Sequence, residues 1–461
     1  MIAAILVALG VPAVALITTR VIGADSAPSD WSPTASPPQT PTPSSAPTVL
    51  PAASGHQTPG APAINDVLEG PLNADALGSR VAAAVIDLST GSTLLAEQAD
   101  SALIPASTIK ILTSAAALEV LGPEHRFTTR VVAGADPDQL VLVGGGDPAL
   151  TESDDPELDV ATRLSVLADR TAAALKKTGT TAVELLVDDT LFTGPAVDPD
   201  WRSSYIPTGA VGPVSALAVD GGRVDPGLRA RSDDPALSAA VDFTRLLAAN
   251  GVIVRAGPTR GRAADDAAEI AAVRSPSLAR IVEHVLLVSD NDGAEVLGRH
   301  VALATGRPGS SQAAEEAVVE ALEEMGIDMS GATVLDGSGL ARGNAISPVV
   351  LVATLAAAAK AESPNLRPVL TGLPVAQFTG TLDERFDSPR AAGAAGVVRA
   401  KTGTLTGVSS LAGIVVSRDG NTYAFAVLAD QIVNTDAARA AIDNVAATLA
   451  QCGCAHPGPG N

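Results

Sequence analysis

The chain has 461 residues, which is too many for one compact core, so two or more domains are expected. Apolar residues make up 46% of the chain but aromatic residues only 2%, so its cores must be built mainly from Ala, Val, Leu and Ile. A formal net charge of −21 argues against binding of nucleic acid and against attachment to anionic lipid through a basic surface.

The N-terminus has the composition of an export signal followed by a tether. The apolar run from Ile2 to Ile17 is short for a membrane-spanning helix, which needs about 20 residues, and slightly long for a signal-peptide core. A buried core helix is the alternative. The next stretch is dominated by Pro, Ser, Thr and Ala, which favour extended polyproline geometry. We predict a signal or membrane anchor over 1–24 and a linker over 25–63. The rest of the protein is then extracytoplasmic, either secreted or attached to the membrane only through this segment.

The folded part is predicted to begin near Asn65 with a β-hairpin. Its two strands cover Val81–Leu88 and Thr93–Glu97, which alternate apolar and polar residues in part around a Ser-Thr-Gly-Ser turn. A helical run then extends over Thr108–Leu121 and is ended by Gly122-Pro123.

The middle of the chain, residues 128–270, is predicted to form one or two smaller inserted domains. It contains strand-like and helical runs, namely Gln139–Val143, Leu158–Lys177, Val183–Val187, Ala236–Asn250 and Val252–Arg255.

The C-terminal part is predicted to form an amphipathic helix from Ser277, a second hairpin and a final helix. The hairpin strands cover Ser409–Val416 and Tyr423–Leu428, and the helix covers Asp436–Leu449. The early hairpin, the late hairpin and the final helix can form one sheet domain. The predicted division is therefore a catalytic domain of two segments, an insertion and a flexible tail: 64–127 with 271–454, 128–270, and 455–461.

Cysteine and histidine give no sign of a metal site. Cys452 and Cys454 can form a tight local disulfide or stay free, and no Cys/His spacing suits zinc. The five histidines are scattered along the chain, so we interpret them as surface or capping residues.

The strongest chemical feature is Ser107-Thr108-Ile109-Lys110 at the start of a predicted helix. Residues three apart share a helix face, so the lysine amine would lie beside the serine hydroxyl. A serine hydroxyl needs a neighbouring base to become a good nucleophile, and a lysine whose pKa is lowered by burial can serve. The chain has five lysines against twenty-five arginines, and this is its only Ser-x-x-Lys. An ordinary helix start is the alternative.

Two further motifs follow, Ser289-Asp290-Asn291 and Lys401-Thr402-Gly403, and each has a decoy. Ser363-Pro364-Asn365 lies in a proline-marked loop, and Lys177-Thr178-Gly179 fits the last turn and C-cap of a helix. By contrast, Ser289 ends an amphipathic helix, and Lys401 precedes strand-like sequence. A glycine at a strand edge lets a peptide backbone approach closely.

Ser-x-x-Lys, Ser-x-Asn and Lys-Thr-Gly in this order resemble the signature of penicillin-binding proteins and serine β-lactamases. About 180 residues separate the first two motifs, and about 110 separate the second from the third. With its long first gap the chain is most similar to the D-alanyl-D-alanine carboxypeptidase/endopeptidase family of the penicillin-binding protein 4 (DacB) type. Further similar segments are Pro105–Thr108, Gly144–Pro148, Pro213–Leu217, Asp336–Leu340, Gly380–Leu382 and Lys401–Gly413.

The resemblance implies a fold of the α/β (α+β) class, with an αβα transpeptidase-like domain interrupted by smaller inserted domains. It implies a D,D-carboxypeptidase, with endopeptidase action on cross-links left open. The implied partners are peptidoglycan stem peptides and β-lactams. No metal, nucleotide or other cofactor is expected, and the oligomeric state stays open.

The resemblance also implies catalytic roles. Ser107 would attack the carbonyl of the penultimate D-alanine, and Lys110 would be the general base. Ser289 and Lys401 would relay the proton to the leaving amine, and water would then release the acyl-enzyme.

The implied substrate-binding residues are Asn291, Lys401, Thr402, Gly403 and Thr404. Asn291 would bind the substrate amide, and Lys401 and Thr402 would meet the terminal carboxylate. The backbone N–H of Thr404 and that of the nucleophile would form the oxyanion hole.

Two alternatives remain. A class A β-lactamase uses a glutamate in a Glu-x-x-x-Asn context after the second motif, and no such spacing occurs between Asn291 and Lys401. A non-catalytic wall-binding protein could keep the same fold, but it would not need all three motifs intact.

Overall fold

A computed structural model describes residues 61–153, 162–225 and 227–454. The predicted anchor over 1–24, the linker up to residue 60, the first residues of the helix predicted at Leu158, and the tail over 455–461 lie outside this part. Within the described residues, no helix combines the length and the apolar character needed to cross a membrane.

The α-helices of the described chain are α1 Ala61–Leu72, α2 Lys110–Leu121, α3 Leu164–Thr178, α4 Pro235–Ala249, α5 Leu278–Val288, α6 Asn291–Ala304, α7 Ser311–Glu324, α8 Pro348–Ala359, α9 Arg367–Thr371 and α10 Thr435–Gln451. Short 3₁₀ helices cover Asp75–Leu77, Ala106–Ile109, Asp220–Gly222, Pro364–Leu366, Gly380–Leu382 and Ala392–Ala394.

The β-strands are β1 Arg80–Asp87, β2 Thr93–Glu97, β3 Thr128–Ala133, β4 Gln139–Val143, β5 Leu150–Thr151, β6 Thr162–Arg163, β7 Ala182–Asp188, β8 Ile253–Val254, β9 Thr259–Arg260, β10 Glu269–Arg274, β11 Val398–Leu405, β12 Val408–Val416 and β13 Thr422–Asp430.

The main sheet joins the two ends of the described chain. Its order is β11-β12-β13-β1-β2, and all its pairs are antiparallel. β1 pairs with β13 along its whole length, from Arg80 opposite Asp430 to Asp87 opposite Tyr423. The predicted early and late hairpins therefore both exist and belong to one sheet, with β11 at an edge.

The main sheet is buried on both faces, because successive residues of its strands point to opposite sides. Along β13, Tyr423 and Phe425 pack in the core that α1 and α10 cover, whereas Ala424 and Ala426 pack in the core formed with α2, α5 and α8. This helix–sheet–helix layering confirms the predicted αβα, mixed α/β fold.

A second sheet takes its strands from residues 128–274. Its order is β10-β3-β4-β7-β8, with β9 also pairing β7. The pairs of β3 with β10 and β4 are antiparallel, and those of β7 with its neighbours are parallel. α3 and α4 pack in its core around the buried Phe243. β10 runs past the predicted boundary at residue 270, and the division into domains itself stays a prediction.

Several element ends differ from the prediction. α1 begins at Ala61, before the expected start near Asn65. α3 begins only at Leu164, because residues 162–163 pair as β6 with β5. The strand predicted over Val252–Arg255 is reduced to Ile253–Val254. Cys452 and Cys454 form a disulfide just after α10.

Candidate active site

Ser107 lies in the 3₁₀ helix Ala106–Ile109, directly before α2. The preceding residue, Ala106, has φ +47°, a left-handed conformation that costs about 1–3 kcal/mol for a non-glycine residue. The surrounding structure holds this turn, because the hydroxyls of Thr108 and Ser410 both donate to the carbonyl of Pro105, at 2.7 and 2.6 Å. The nucleophile predicted from sequence is therefore displayed on a constrained, half-buried turn.

Lys110 is the first residue of α2 and is fully buried. Its Nζ lies 3.0 Å from Ser107 Oγ, 2.7 Å from Asn291 Oδ1 and 2.6 Å from the carbonyl oxygen of Ser338. The amide and carbonyl oxygens can only accept, so they fix two N–H groups of the amine. When the amine is neutral, its lone pair is therefore directed at the Ser107 hydroxyl, which is the geometry of a general base.

Burial lowers the pKa of Lys110 from 10.5 to about 8. The attraction of nearby carboxylates, first Asp336 and then Glu295, opposes this shift. Glu295 is itself fully buried, and burial followed by repulsion from Asp336 raises its pKa to about 8. The pKa of the Lys110 amine is thus close to the value that a general base needs at neutral pH.

The second motif lies where two helices meet. Ser289 caps the C-terminus of α5 with φ +60°, and Asn291 is the first residue of α6. Ser289 Oγ accepts a hydrogen bond from Lys401 Nζ at 2.9 Å, while Asn291 contacts Lys110. The two lysines are therefore connected to the same Ser-Asp-Asn turn.

The segment around residues 209–231 holds this turn from the other side. Asn291 Nδ2 donates to the carbonyl of Ala210 at 2.8 Å, which fixes the amide with its oxygen toward the lysine. The next residue, Asp292, accepts from the backbone N–H of Gly212 at 2.7 Å and from Arg231 Nη2 at 2.6 Å. The Arg231 side chain is only 2% exposed, so this is a nearly buried ion pair.

The third motif lies on the edge strand β11, as predicted. Lys401 is fully buried, and its Nζ also donates to the carbonyl of Thr402 at 2.9 Å. Burial, and then repulsion from Lys110, hold the pKa of Lys401 well below its usual value. The Thr402 hydroxyl donates to that of Thr381 at 2.9 Å, which fixes its position in the cleft wall.

Gly403 has a different neighbour from the one expected. A Cβ at this position would lie 2.6 Å from the carbonyl oxygen of Pro105 and would collide with the Ser410 hydroxyl. The glycine therefore lets β11 approach the turn that carries Ser107. A contact between Gly403 and the substrate stays a prediction.

A cleft of about 420 Å³ opens at these motifs. Ser107, Ser289, Thr402 and Thr404 line it together with Thr381 and a charged group, Asp383, Glu384, Arg385 and Arg439. The arrangement offers a hydroxyl beside a poised amine, a second amine and threonine hydroxyls, which suits acyl transfer to serine from a substrate with an anionic end.

The sequence indicated some of these groups but not others. The resemblance to the family included the segment Asp336–Leu340, and Asp336 organises it by accepting from the backbone of Gly339 and Ala341, both at 2.7 Å. The contact of the Ser338 carbonyl with Lys110 leaves no signal in the sequence, because every residue has a backbone carbonyl. The Arg231–Asp292 pair also carries none.

The structure also shows where the two decoy motifs lie. Lys177 is exposed in the last turn of α3, and Gly179 is its left-handed C-cap, as predicted. Ser363 caps a 3₁₀ helix after α8.

Among residues 61–153, 162–225 and 227–454, no group of three or more His, Cys, Asp or Glu side chains is arranged to hold a metal ion.

Comparison with known proteins agrees with the resemblance given by the three motifs. A sequence profile of the D-Ala-D-Ala carboxypeptidase 3 (S13) family matches residues 64–231 and 225–452. Carboxypeptidase DacB of Mycolicibacterium smegmatis is 36% identical over 457 residues, and the match covers 97% of each chain. The D-alanyl-D-alanine carboxypeptidase of Actinomadura sp. is 30% identical over 450 residues, covering 79% of this chain and 80% of the relative.

Solved structures show the same fold. Penicillin-binding protein 4 (DacB) of Haemophilus influenzae superposes with a TM-score of 0.68 at 22% identity, covering 84% of this chain and 98% of that one. A second structure of that protein, in complex with a β-lactam, has a TM-score of 0.61 at 21% identity, with the same coverage.

Proposed function

Because this chain belongs to the S13 family of D-Ala-D-Ala carboxypeptidases, we propose that it performs this hydrolysis through an ester on Ser107. The side chains proposed to carry out the reaction are Ser107, Lys110, Ser289, Asn291 and Lys401. The chain is a serine-type carboxypeptidase, and its family acts on the cell wall outside the cytoplasm. The observation that carries the assignment of roles is the contact of Lys110 Nζ with Ser107 Oγ, with the other two lysine partners able only to accept.

Acylation begins when the neutral amine of Lys110 takes the Ser107 proton. The Oγ then attacks the carbonyl carbon of the penultimate D-alanine, and the backbone N–H groups of Ser107 and Thr404 stabilise the oxyanion. The C–N bond breaks as the proton taken up by Lys110 passes to the leaving amine through Ser289 and Lys401, whose Oγ and Nζ atoms are 2.9 Å apart, and Lys110 returns to its neutral form. Terminal D-alanine departs, and water hydrolyses the ester in the second half-reaction.

The terminal carboxylate is proposed to bind at Lys401 and Thr402. An anion beside the buried Lys401 favours the charged form of that amine, so binding raises its depressed pKa. Both polar atoms of the Asn291 side chain already make a hydrogen bond. Nδ2 has two N–H groups, and the one that does not donate to Ala210 is proposed to donate to the substrate amide. Stem peptides and β-lactams are the proposed ligands.

Intact-mass spectrometry with benzylpenicillin tests this proposal. We expect one long-lived adduct on the wild type, none on Ser107→Ala, and an unchanged adduct on the control Ser101→Ala, an exposed serine outside the cleft. An adduct that survives in Ser107→Ala would contradict the assignment.

A nitrocefin assay together with the benzylpenicillin measurement separates the two alternatives. Rapid turnover of the chromogenic β-lactam nitrocefin without accumulation of adduct would favour a β-lactamase. Complete failure to react with penicillin would favour a non-catalytic wall-binding protein.

The location of the protein is proposed from its N-terminus. Residues 1–24 would export the chain and either be cleaved or remain as its membrane anchor, with residues 25–63 as the linker to the folded part. Fractionation of cells that produce the full chain, with N-terminal sequencing of the product, distinguishes the cleaved from the anchored form.

A further inference from the structure

The Ser338 carbonyl, which accepts from Lys110, lies next to a peptide unit that is held at both of its polar atoms. This is the unit between Gly337 and Ser338. Its N–H donates to Glu295 Oε1 at 2.8 Å, and its carbonyl accepts from the Thr113 hydroxyl, also at 2.8 Å. Both hydrogen bonds are buried. The direction of the Ser338 carbonyl therefore depends on the peptide unit that Glu295 and Thr113 fix.

Glu295 reaches this peptide unit from the same helix that carries Asn291. The two residues are four apart in α6, so they share one face of the helix. Asn291 gives Lys110 one of its acceptors directly, at 2.7 Å, and Glu295 fixes the segment that gives the other. The direction of the Lys110 lone pair is thus set from one turn of one helix.

The segment Asp336–Leu340 also lies directly against the turn that carries Ser107. Gly339 has φ +87°, and a Cβ at this position would collide with the carbonyl oxygen of Ala106. Because no gap separates the segment from the turn, a rotation of the Ser338 peptide would change the position of the Lys110 amine relative to Ser107.

Glu295 can hold the peptide unit without carrying a charge. Burial, and then repulsion from Asp336, raise the pKa of Glu295 to about 8, so most molecules have the neutral acid at pH 7. A neutral carboxyl group keeps a carbonyl oxygen that accepts from an N–H group, as the amide of glutamine does. The segment therefore requires the hydrogen bond of Glu295 and not its charge.

We propose that Glu295 is a positioning residue for acylation, because it holds the segment whose carbonyl fixes Lys110. By accepting from the Ser338 N–H, it directs the Ser338 carbonyl at the amine and thereby the lone pair of the amine at Ser107. The inference rests on the proposed function, in which Lys110 is the general base. Glu295 is not among the described residues that line the catalytic cleft, so it should affect the rate of acylation and not the binding of the ligand.

Two substitutions separate the hydrogen bond of Glu295 from its charge. Glu295→Gln and Glu295→Met both remove the carboxyl group, but only glutamine keeps an oxygen that can accept from the Ser338 N–H. The concentration dependence of benzylpenicillin acylation gives the limiting rate constant and the dissociation constant of the complex that precedes acylation. At pH 9, above the pKa of about 8 for Lys110, we expect the limiting rate constant of Glu295→Met to be about tenfold or more below that of Glu295→Gln. The dissociation constants should agree within about twofold, because the cleft is unchanged.

Glu315→Met is the matched control. Glu315 borders the same small cavity as Glu295, and burial raises its pKa to about 7. In the described part of the chain its carboxyl group makes no hydrogen bond to the segment Asp336–Leu340. This variant should keep the limiting rate constant of the wild type.

Thr113 tests the same peptide unit from its other end, and it decides the question if Glu295→Met does not fold. Thr113→Val removes the donor to the Gly337 carbonyl, whereas Thr113→Ser keeps it. We expect the limiting rate constant of Thr113→Val to be about threefold or more below that of Thr113→Ser.

Equal limiting rate constants within the Glu295 pair, or within the Thr113 pair where Glu295→Met does not fold, refute the positioning role. A loss confined to the dissociation constant also refutes it, because the substitution would then act on the cleft. Either result with a wild type that benzylpenicillin acylates refutes this inference alone, whereas a wild type that is not acylated refutes the proposed function.

Discussion

Lys110 has three hydrogen-bond partners, and only the hydroxyl of Ser107 among them carries a proton that can be transferred. In the proposed mechanism the neutral amine is the active form, so the pKa of about 8 for Lys110 would set the pH dependence. At pH 7 roughly one molecule in ten has this form, and the fraction grows as pH rises.

We therefore predict that the rate of acylation by benzylpenicillin rises with pH and levels off above about pH 8. In Lys110→Arg the rise should vanish and the rate should fall roughly 10²- to 10⁴-fold, because a guanidinium group stays protonated. Stopped-flow or quenched-flow acylation between pH 6 and pH 10 measures both. A rate that falls with increasing pH over this range would show that the charged amine is the active form.

At this scale the sequence was informative where chemistry fixes a spacing. The three-residue spacing of Ser107 and Lys110 predicted their contact, and the resemblance carried by the three motifs implied that Asn291 and Lys401 would lie in the same site. The carbonyl of Ser338 could not be predicted, because the backbone group is common to all residues and its position depends on tertiary packing.

Among the elements, the edge strand β11 and the 3₁₀ turn of Ser107 depend on each other. The close approach of Gly403 to Pro105 leaves no room for a side chain. The Pro105 carbonyl, at the start of this turn, also accepts a hydrogen bond from the hydroxyl of Ser410 in the neighbouring strand β12. Ser107 is thus positioned by strands that lie about 300 residues away in the sequence.

Gly403→Ala should therefore destabilise the protein by about 1–3 kcal/mol and slow its acylation, because overpacking pushes the strand away from the turn. Thermal unfolding and the penicillin acylation rate measure the two effects. Gly70→Ala in α1 is the control: its Cβ would meet nothing within 4 Å, so we expect a neutral or slightly stabilised protein. Equal behaviour of the two variants would contradict the packing argument.

The element ends show what periodicity cannot supply. The apolar pattern of α3 was predicted to start at Leu158, but its first turn in the structure starts at Leu164, after a two-residue strand. Such a short pairing depends on the partner strand β5 and leaves no periodic signal of its own.

For the molecule as a whole, the segment between the first two motifs does more than fill a gap in the sequence. Through Ala210, Gly212 and Arg231 it holds Asn291 and Asp292 from outside the main sheet. Family resemblance predicted an insertion, but neither composition nor periodicity indicated that it would support the turn formed by Ser289, Asp290 and Asn291.

Arg231→Met should consequently slow penicillin acylation by about tenfold or more, because a small displacement of Asn291 misaligns Lys110. Arg260→Met is the control. Like Arg231, Arg260 forms ion pairs, in its case with Asp189 and Asp234, but its side chain is 49% exposed. Exposed pairs contribute little, so its rate should be close to that of the wild type. The acylation rate and the melting temperature are compared for both; equal losses of rate would contradict a positioning role for Arg231.

The pairing of β1 with β13 has a consequence for biosynthesis. A ribosome releases the chain from its N-terminus, so β1 can pair early with β2, but its other neighbour is missing until residues 422–430 have been made. Ser107 likewise waits for β11 and β12 to complete its turn. A polypeptide that stops before residue 408 lacks both the strand that supports the Ser107 turn and the neighbour of β1 on that side, so it cannot form the site described above.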